Sequence, residues 1–97
     1  MNTFECDKAK ARSNHMEHGV RFTEASRAIK TAHSLTGRSH QSDDLGEERN
    51  QTITKLPDGR TIVMVWTPRN GHVRVISVRR ARKNEKEALN AYLQNLQ

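Results

Sequence analysis

The stretch TIVMVWTPRNGHVRVISVRR, from Thr61 to Arg80, decides the fold. TIVMVWT is apolar on both sides of an extended chain, which is typical of a central strand. Asn70-Gly71 is a favoured two-residue hairpin turn, and the alternation in VRVISVRR predicts a second strand after it. Upstream, RNQTITK from Arg49 reads as a polar edge strand, and LPDGR places Pro and Gly where a tight turn needs them. Together these segments predict a three-stranded antiparallel meander.

Helical patterns flank the meander on both sides. Before it, CDKAKARSNHMEHG predicts a helix that Asp7 caps and Gly19 ends, and VRFTEASRAIKTA predicts a second helix capped by Thr23. After it, Asn84 is expected to cap a last helix, with Glu87 at the capping-box position. The apolar stripe of this last helix consists of Leu89, Tyr92, Leu93 and Leu96.

The segment between the second helix and the meander, HSLTGRSHQSDDLGEER, shows no periodicity. It predicts a long connection, and connections of this length are usually either functional or disordered. The resulting order α-α-β-β-β-α predicts an α+β fold, with two N-terminal helices and one C-terminal helix packed on a small antiparallel sheet. A chain of 97 residues suits one domain over residues 1–97.

The positive charge of the chain is concentrated in one segment. Between Arg69 and Lys86 there are seven lysines and arginines against Glu85 alone, so this window accounts for the whole net charge of +6. Such a concentration is expected of a surface that meets polyphosphate or an acidic protein.

Cysteine usage and hydropathy limit the compartment. Cys6 is the only cysteine, which rules out an internal disulfide, and no apolar run approaches membrane-spanning length. The opening MNTFECDKAK has no hydrophobic stretch of the signal-peptide kind. A reducing cytoplasm and no membrane partner are therefore expected.

Two blocks of the sequence resemble the BrnT toxin family. FECDKAKARSNHMEHGVRF is similar to the family's opening pattern, in which Phe-Glu-Trp-Asp leads a helix ending in Asn-x-x-Lys-His-Gly-Val-x-Phe. GEER, DGR and NGHVRVISVRRARKNE resemble the family's Gly-Glu-Glu-Arg, turn, and Ile-Ser-Ala-Arg-Arg-Ala-x-x-x-Glu. The similarity runs in register from Phe4 to Glu87.

This resemblance implies a RelE-like fold and the toxin of a type II toxin–antitoxin pair. Such a toxin is an endoribonuclease that stops translation until a BrnA-like antitoxin binds it. The antitoxin carries the DNA-binding part, so operator DNA is contacted only through the complex. RNA and the antitoxin are the implied partners.

The end of the third strand is the predicted centre of the chemistry. RNA is cut without metal when a 2′-hydroxyl attacks its neighbouring phosphate, and arginine suits the negative phosphorane because its planar fork is always charged. Alternation sends Arg79 and Arg80 to opposite faces, with Val75 on the Arg79 face and Arg74 on the Arg80 face. We expect one of the two arginines to bind RNA and the other to support the site or face the antitoxin. The alternative is a solvated strand end beside Glu85.

Three further residues are candidates for catalysis. His40 in the long connection is the predicted acid–base group, because imidazole titrates near neutrality; the alternative is an ordinary loop histidine. Glu85 is either a base or a group that orients Arg80, although an acid in a first helical turn also suits the helix dipole. Arg60 is expected to add a phosphate contact, unless it is simply solvated. The predicted RNA-binding set is Arg49, Arg74, Arg82 and Lys83.

Other residues have ordinary explanations. Glu48 and Arg49 match the family's Glu-x-Arg region, and an edge-strand salt bridge is the alternative. His15 and His18 have a spacing that zinc ligands use, but nothing beside them completes a shell, so no metal and no cofactor are predicted. Trp66 in the central strand is expected to pack in the core.

Two alternatives to an enzyme remain open from the sequence. One is a non-catalytic nucleic-acid-binding module that uses the Arg79/Arg80 basic patch, and the other is an adaptor whose arginines meet an acidic peptide.

Overall fold

The structure is a computed structural model that describes residues 4–6, 8–38 and 48–96, without the side chains of Lys10, Asn14, Glu17, His18 and Arg38. The elements in chain order are β1 (Phe4–Glu5), α1 (Lys8–His18), α2 (Phe22–Thr31), β2 (Leu35–Arg38), β3 (Asn50–Lys55), β4 (Thr61–Arg69), β5 (His72–Arg80) and α3 (Lys83–Asn95). The predicted mixed α+β class and the positions of the three helices are confirmed.

The sheet has five strands, in the order β1-β5-β4-β3-β2. The predicted meander is its centre, but the prediction of only three strands is wrong. Strand β2 lies in the predicted connection and pairs antiparallel with β3, while β1 pairs parallel with β5. Hydroxyl pairs support the β2 edge, since Thr36 Oγ1 lies 2.9 Å from Thr52 Oγ1 and Ser34 donates to Thr54 at 3.0 Å.

The turn between β4 and β5 is the one that the sequence predicts. Asn70 and Gly71 both have positive φ, at 51° and 78°, as a type I′ hairpin turn requires. This turn fixes Arg69 opposite His72, and from there the register of the central hairpin.

A β-bulge in β5 changes which side chains share a face. Val65 is opposite Ser77 and Trp66 is opposite Val75, so Ile76 is the extra residue of the bulged strand. The face assignment made for an uninterrupted strand is therefore wrong. Arg74 lies on the same face as Arg79, not on that of Arg80.

Each face of the sheet carries its own core. The larger core lies under α1 and α2 and contains Val20, Phe22, Ala25, Ala28, Leu56, Ile62, Met64, Val75 and Val78. The smaller core lies under α3 and contains Ile53, Val63 and Leu89, with Leu35, Ala81, Tyr92 and Leu93 packed against it. Leu96, predicted to belong to the same stripe, is 49% exposed.

The helix ends agree with the sequence only in part. Gly19 ends α1 as predicted, with φ +69° and its amide donating to the His15 carbonyl at 2.8 Å. The Thr23 cap is wrong, because α2 begins at Phe22 after Arg21. The predicted Asp7 cap lies outside the described residues.

Helix α3 begins earlier than predicted. Its N-cap is Arg82, and the Glu85 carboxylate accepts a hydrogen bond from the Arg82 amide at 2.8 Å. The acid at the capping-box position is thus Glu85, two residues before the predicted Glu87, and Asn84 lies inside the first turn. Within the described part of the chain, no helix has the length and apolar character needed to cross a membrane.

Candidate nucleic-acid interface

An ion pair links the end of β5 to the first turn of α3. Arg79 donates from Nη1 and Nη2 to the two carboxylate oxygens of Glu85, at 2.7 and 2.8 Å. The Glu85 side chain is 10% exposed and that of Arg79 is 24% exposed. Bidentate pairs of this kind fix both geometry and charge.

This pair also sets the charge state of the carboxylate. The hydrogen bonds from Arg79 lower the pKa of Glu85 below its usual range, with a further contribution from the Arg82 amide, against the opposing effect of burial. The same pair raises the pKa of Arg79. The expectation that Glu85 orients Arg80 is wrong about the partner, because the carboxylate holds Arg79.

A row of polar side chains runs along β5 on the α3 face of the sheet. The bulge places Arg74, Ser77 and Arg79 opposite Thr67, Val65 and Val63 respectively. The β4 residues opposite the two arginines, Thr67 and Val63, are four positions apart, which is a span of about 13 Å at the usual strand rise. We call Arg74, Ser77 and Arg79 the arginine row.

Helix α3 does not pack on the Arg74 end of the row. Its apolar side packs on Ile53 and Val63, near the Arg79 end of the row. Arg74 and Ser77 are half-buried, as are Val65 and Thr67 beside them on β4. Among the described residues, the arginine row therefore borders a strip of sheet that α3 does not cover and that carries hydrogen-bonding and cationic groups.

The other predicted RNA-binding residues lie at the two ends of this face. Arg82 and Lys83 are exposed where α3 begins, next to Arg79. Arg49 is half-buried just before β3, at the end of the sheet nearer Arg74. Its neighbour Glu48 accepts a hydrogen bond from the Asn50 amide group at 2.9 Å, and its carbonyl accepts one from Thr67.

Arg80 points to the other face, opposite Ile62 of the larger core. The arginines at 79 and 80 therefore do not form one site. Arg80 instead lines a groove of about 240 Å³ at the edge of the sheet where β3 and β5 end and β4 begins. We call this the end groove, and its polar lining includes Lys55, Arg60, Arg80, Lys86 and Asn90.

Arg60 holds the β3–β4 turn against the helices. Its Nε donates to Asp58 at 2.8 Å, its Nη1 to the Gly19 carbonyl at 3.0 Å, and its Nη2 to Glu24 at 2.9 Å. The hydrogen bond with Asp58 is the main reason that the pKa of Arg60 is raised and that of Asp58 lowered. Most donors of the Arg60 guanidinium are used inside the protein.

One histidine, His72, lies on the strand that carries the arginine row. His40, the predicted acid–base residue, lies outside the described residues. His72 begins β5 two positions before Arg74, on the same face by strand alternation. Its Nδ1 is buried with no hydrogen-bond partner among the described residues. In that same part of the chain, no three His, Cys, Asp or Glu side chains group in a way that could hold a metal ion.

Several functional candidates were missed from the sequence, among them His72 and Ser77 beside the arginines of the row. Lys55 and Lys86 join Arg80 only through the fold, because β3, α3 and β5 meet at the end groove. Trp66 is half-buried rather than fully enclosed, and its Nε1 donates to Thr52 Oγ1 at 2.9 Å. The hydrogen bond favours the packing role predicted for this residue.

Residues 6–85 match the family model described as the ribonuclease toxin BrnT of type II toxin–antitoxin systems. The chain belongs to the BrnT toxin family. A crystal structure of the Brucella abortus ribonuclease toxin BrnT, at 1.1 Å resolution, superposes with a TM-score of 0.66 at 18% identity. The superposition covers 86% of this chain and 100% of the Brucella chain, which establishes a shared fold. No curated protein sequence matches the chain.

Proposed function

We propose that this BrnT family protein is an endoribonuclease that cleaves cellular RNA and inhibits translation until a BrnA-like antitoxin neutralises it. The family description as a ribonuclease toxin of type II systems supports this proposal. The arginine row is the observation that carries it, because its three donor side chains lie on one face of the sheet, beside the part of that face that α3 leaves uncovered among the described residues. The excess charge of the chain lies in the segment that contains this row.

In the proposed mechanism, the RNA backbone lies along the row and Arg74 contacts the phosphate that is attacked. Arg79 is held in place by Glu85, which accepts hydrogen bonds from its Nη1 and Nη2. A cation fixed in advance stabilises the charge of the phosphorane without reorganising during the reaction. Arg49, Arg82 and Lys83 bind the flanking backbone.

Proton transfer requires a base for the 2′-hydroxyl and an acid for the leaving oxygen. His40 remains our candidate for one of these roles. The position of His72 beside Arg74 makes it the second histidine to test. Glu85 is the weaker candidate for a base, because Arg79 and the Arg82 amide already bind its oxygens. No metal ion and no cofactor take part in the proposed reaction.

The remaining features of the proposal follow the family. We assign the chain a RelE-like fold and a single toxin domain over residues 1–97, acting in the cytoplasm. Its partners are a BrnA-like antitoxin and RNA, and it reaches operator DNA only as part of the antitoxin complex. Arg60 is retained only as a support of the fold, because its donors are occupied by Asp58, Glu24 and the Gly19 carbonyl.

Controlled expression with measurement of growth and total RNA tests the proposal. The native chain is expected to arrest growth and cleave RNA in the presence of a chelator. Arg74→Gln should reduce cleavage by at least about tenfold, the loss expected when one charge-assisted contact to the reacting phosphate is removed. Arg12→Gln, an exposed arginine on α1, is the matched control and should cleave like the native chain.

The second candidate function is a non-catalytic module that binds nucleic acid. The neutralisation of Arg79 by Glu85 favours it, because one cation of the row is already paired. Folded native protein that binds RNA without producing fragments or arresting growth would establish this alternative and contradict the enzyme.

A further inference from the structure

The end groove lies outside the arginine row and is strongly cationic. Lys55 comes from the end of β3, Arg80 from the end of β5, and Lys86 with Asn90 from α3. No acidic side chain lines the groove among the described residues. Arg60, its fourth cation, is paired with Asp58 and Glu24 just outside.

Three positive side chains that share one groove, with no acidic side chain in its described lining, repel one another. Arg80 also acts electrostatically on Asp58: together with the larger effects of Arg60, it lowers the pKa of that carboxyl. Lys55, Arg80 and Lys86 are exposed, so their side chains remain available to a ligand. An anion in the groove would relieve this repulsion.

The size of the groove restricts the anion. Its volume of about 240 Å³ is below the ~300 Å³ at which pockets for drug-sized molecules begin. The size of the groove therefore suits a small anion such as a single phosphodiester better than a large organic cofactor. The described lining supplies cations and the Asn90 amide, but no aromatic ring on which a base could stack.

The surface of α3 connects the groove to the arginine row. Lys83, Lys86 and Asn90 recur at spacings of three and four residues, which places them on one side of the helix. Lys83 and Arg82 begin this stripe next to Arg79, and Lys86 and Asn90 end it in the groove. A chain of phosphates that leaves the row at Arg79 would therefore have Lys83 and Lys86 as further cations on its way to the end groove.

We infer that the end groove is a phosphate subsite for the RNA substrate, in which Lys55, Arg80, Lys86 and Asn90 hold a backbone phosphodiester away from the bond that is cut. This inference rests on the proposed function, because it takes the arginine row as the place of cleavage. An acidic segment of a protein partner is the competing occupant, and the test below separates the two.

Binding is measured with a fully 2′-O-methylated RNA oligonucleotide, which lacks the attacking hydroxyl and so reports affinity whether or not the protein is an enzyme. Lys55→Gln and Lys86→Gln should each weaken binding by about two- to fivefold, as expected for exposed ion pairs. The double variant should lose roughly four- to twenty-fivefold if the two contacts add. Its plot of log K against log salt should become shallower by about 0.7 per lost phosphate contact.

Lys8→Gln, an exposed lysine on α1 outside the groove, is the control and should bind like the native chain. In cleavage assays the double variant should raise KM and leave kcat unchanged, since the subsite lies away from the reacting bond. Inorganic phosphate in place of the oligonucleotide should bind far more weakly, because a free ion makes no contact with the row.

Unchanged RNA affinity in the folded double variant would overturn the subsite, and a simultaneous loss of antitoxin affinity would assign the groove to an acidic protein segment. Absence of cleavage by the native chain would defeat the proposed ribonuclease without affecting the binding result. A fall in kcat with unchanged KM would also overturn the inference, because it would place the groove at the reacting bond.

Discussion

At the scale of single residues, the pair of Arg79 and Glu85 joins stability to the proposed site. A partly buried carboxylate with both oxygens hydrogen-bonded stabilises the folded state only while it is ionised. Its pKa is lowered in the folded chain, chiefly by Arg79. The contribution of Glu85 to the free energy of unfolding is therefore complete above its unfolded-state pKa of about 4.3. It is lost as the pH falls through the lower pKa of the folded state.

We predict that Glu85→Gln lowers the free energy of unfolding at pH 7 by about 1–3 kcal/mol, the usual cost of removing one partner of a buried polar pair. The native chain should lose stability as the pH falls from about 4.3 through the lower folded-state pKa of Glu85, and the variant should lose less over the same range. Urea denaturation at several pH values measures both effects. Parallel pH profiles of the native chain and the variant would contradict this role of Glu85.

A second prediction at this scale concerns two glycines. Gly71 has φ +78° in the hairpin turn, whereas Gly37 lies in β2 without a positive φ, and an added Cβ meets nothing within 4 Å at either position. Gly71→Ala should therefore cost about 1–2 kcal/mol from backbone strain alone. Gly37→Ala should be neutral or slightly stabilising, because alanine loses less entropy than glycine in a strand. Equal thermal shifts for both variants would be inconsistent with a type I′ turn.

At the scale of the elements, the sequence predicted what local patterns determine. Asn70-Gly71 was sufficient to predict the β4–β5 hairpin, because only a positive-φ turn matches the twist of the strands. Strand β2 was missed because LTGR has a glycine and no apolar alternation. Its pairing depends on Thr52 and Thr54 of β3, which are distant in sequence.

The bulge had a signal that a simple alternation rule passes over. Val73, Val75 and Val78 are all buried, and an uninterrupted strand cannot place all three on one side. The consecutive apolar pair Val75-Ile76 marks the point where the phase changes. The two arginines of the row could therefore be named as candidates from the sequence, but Ser77 and the face on which Arg74 lies could not.

Helix α3 is attached to the sheet mainly through Leu89, which is 1% exposed and packs with Ile53 and Val63. Leu89→Ala should destabilise the chain by about 2–5 kcal/mol, the range for leucine removed from a packed core. Leu96 lies at the end of the same stripe and is 49% exposed, so Leu96→Ala should cost well under 1 kcal/mol. Thermal denaturation compares the two variants. Similar losses for both would mean that the end of α3 is packed as tightly as its centre.

At the scale of the whole molecule, the sheet separates support from function. One face is covered by α1 and α2, and Arg60 fastens the β3–β4 turn to these helices through Gly19 and Glu24. The other face is covered by α3 only near Ile53 and Val63. The arginine row therefore lies on a strand that is hydrogen-bonded within the sheet, which suits a site whose cations must be held in place before the substrate arrives.

This arrangement has a consequence for RNA affinity as a function of salt. If the arginine row and the end groove together engage about four phosphates, log K should fall with log salt at a slope near −3. Affinity for the 2′-O-methylated oligonucleotide should then drop roughly 50-fold between 50 and 200 mM salt. Arg74→Gln and Arg80→Gln should each make the slope shallower by about 0.7, although their side chains lie on opposite faces of β5. If only Arg74→Gln changes the slope, the RNA is confined to the α3 face. An affinity independent of salt would mean that the charge concentrated between Arg69 and Lys86 does not contact phosphate.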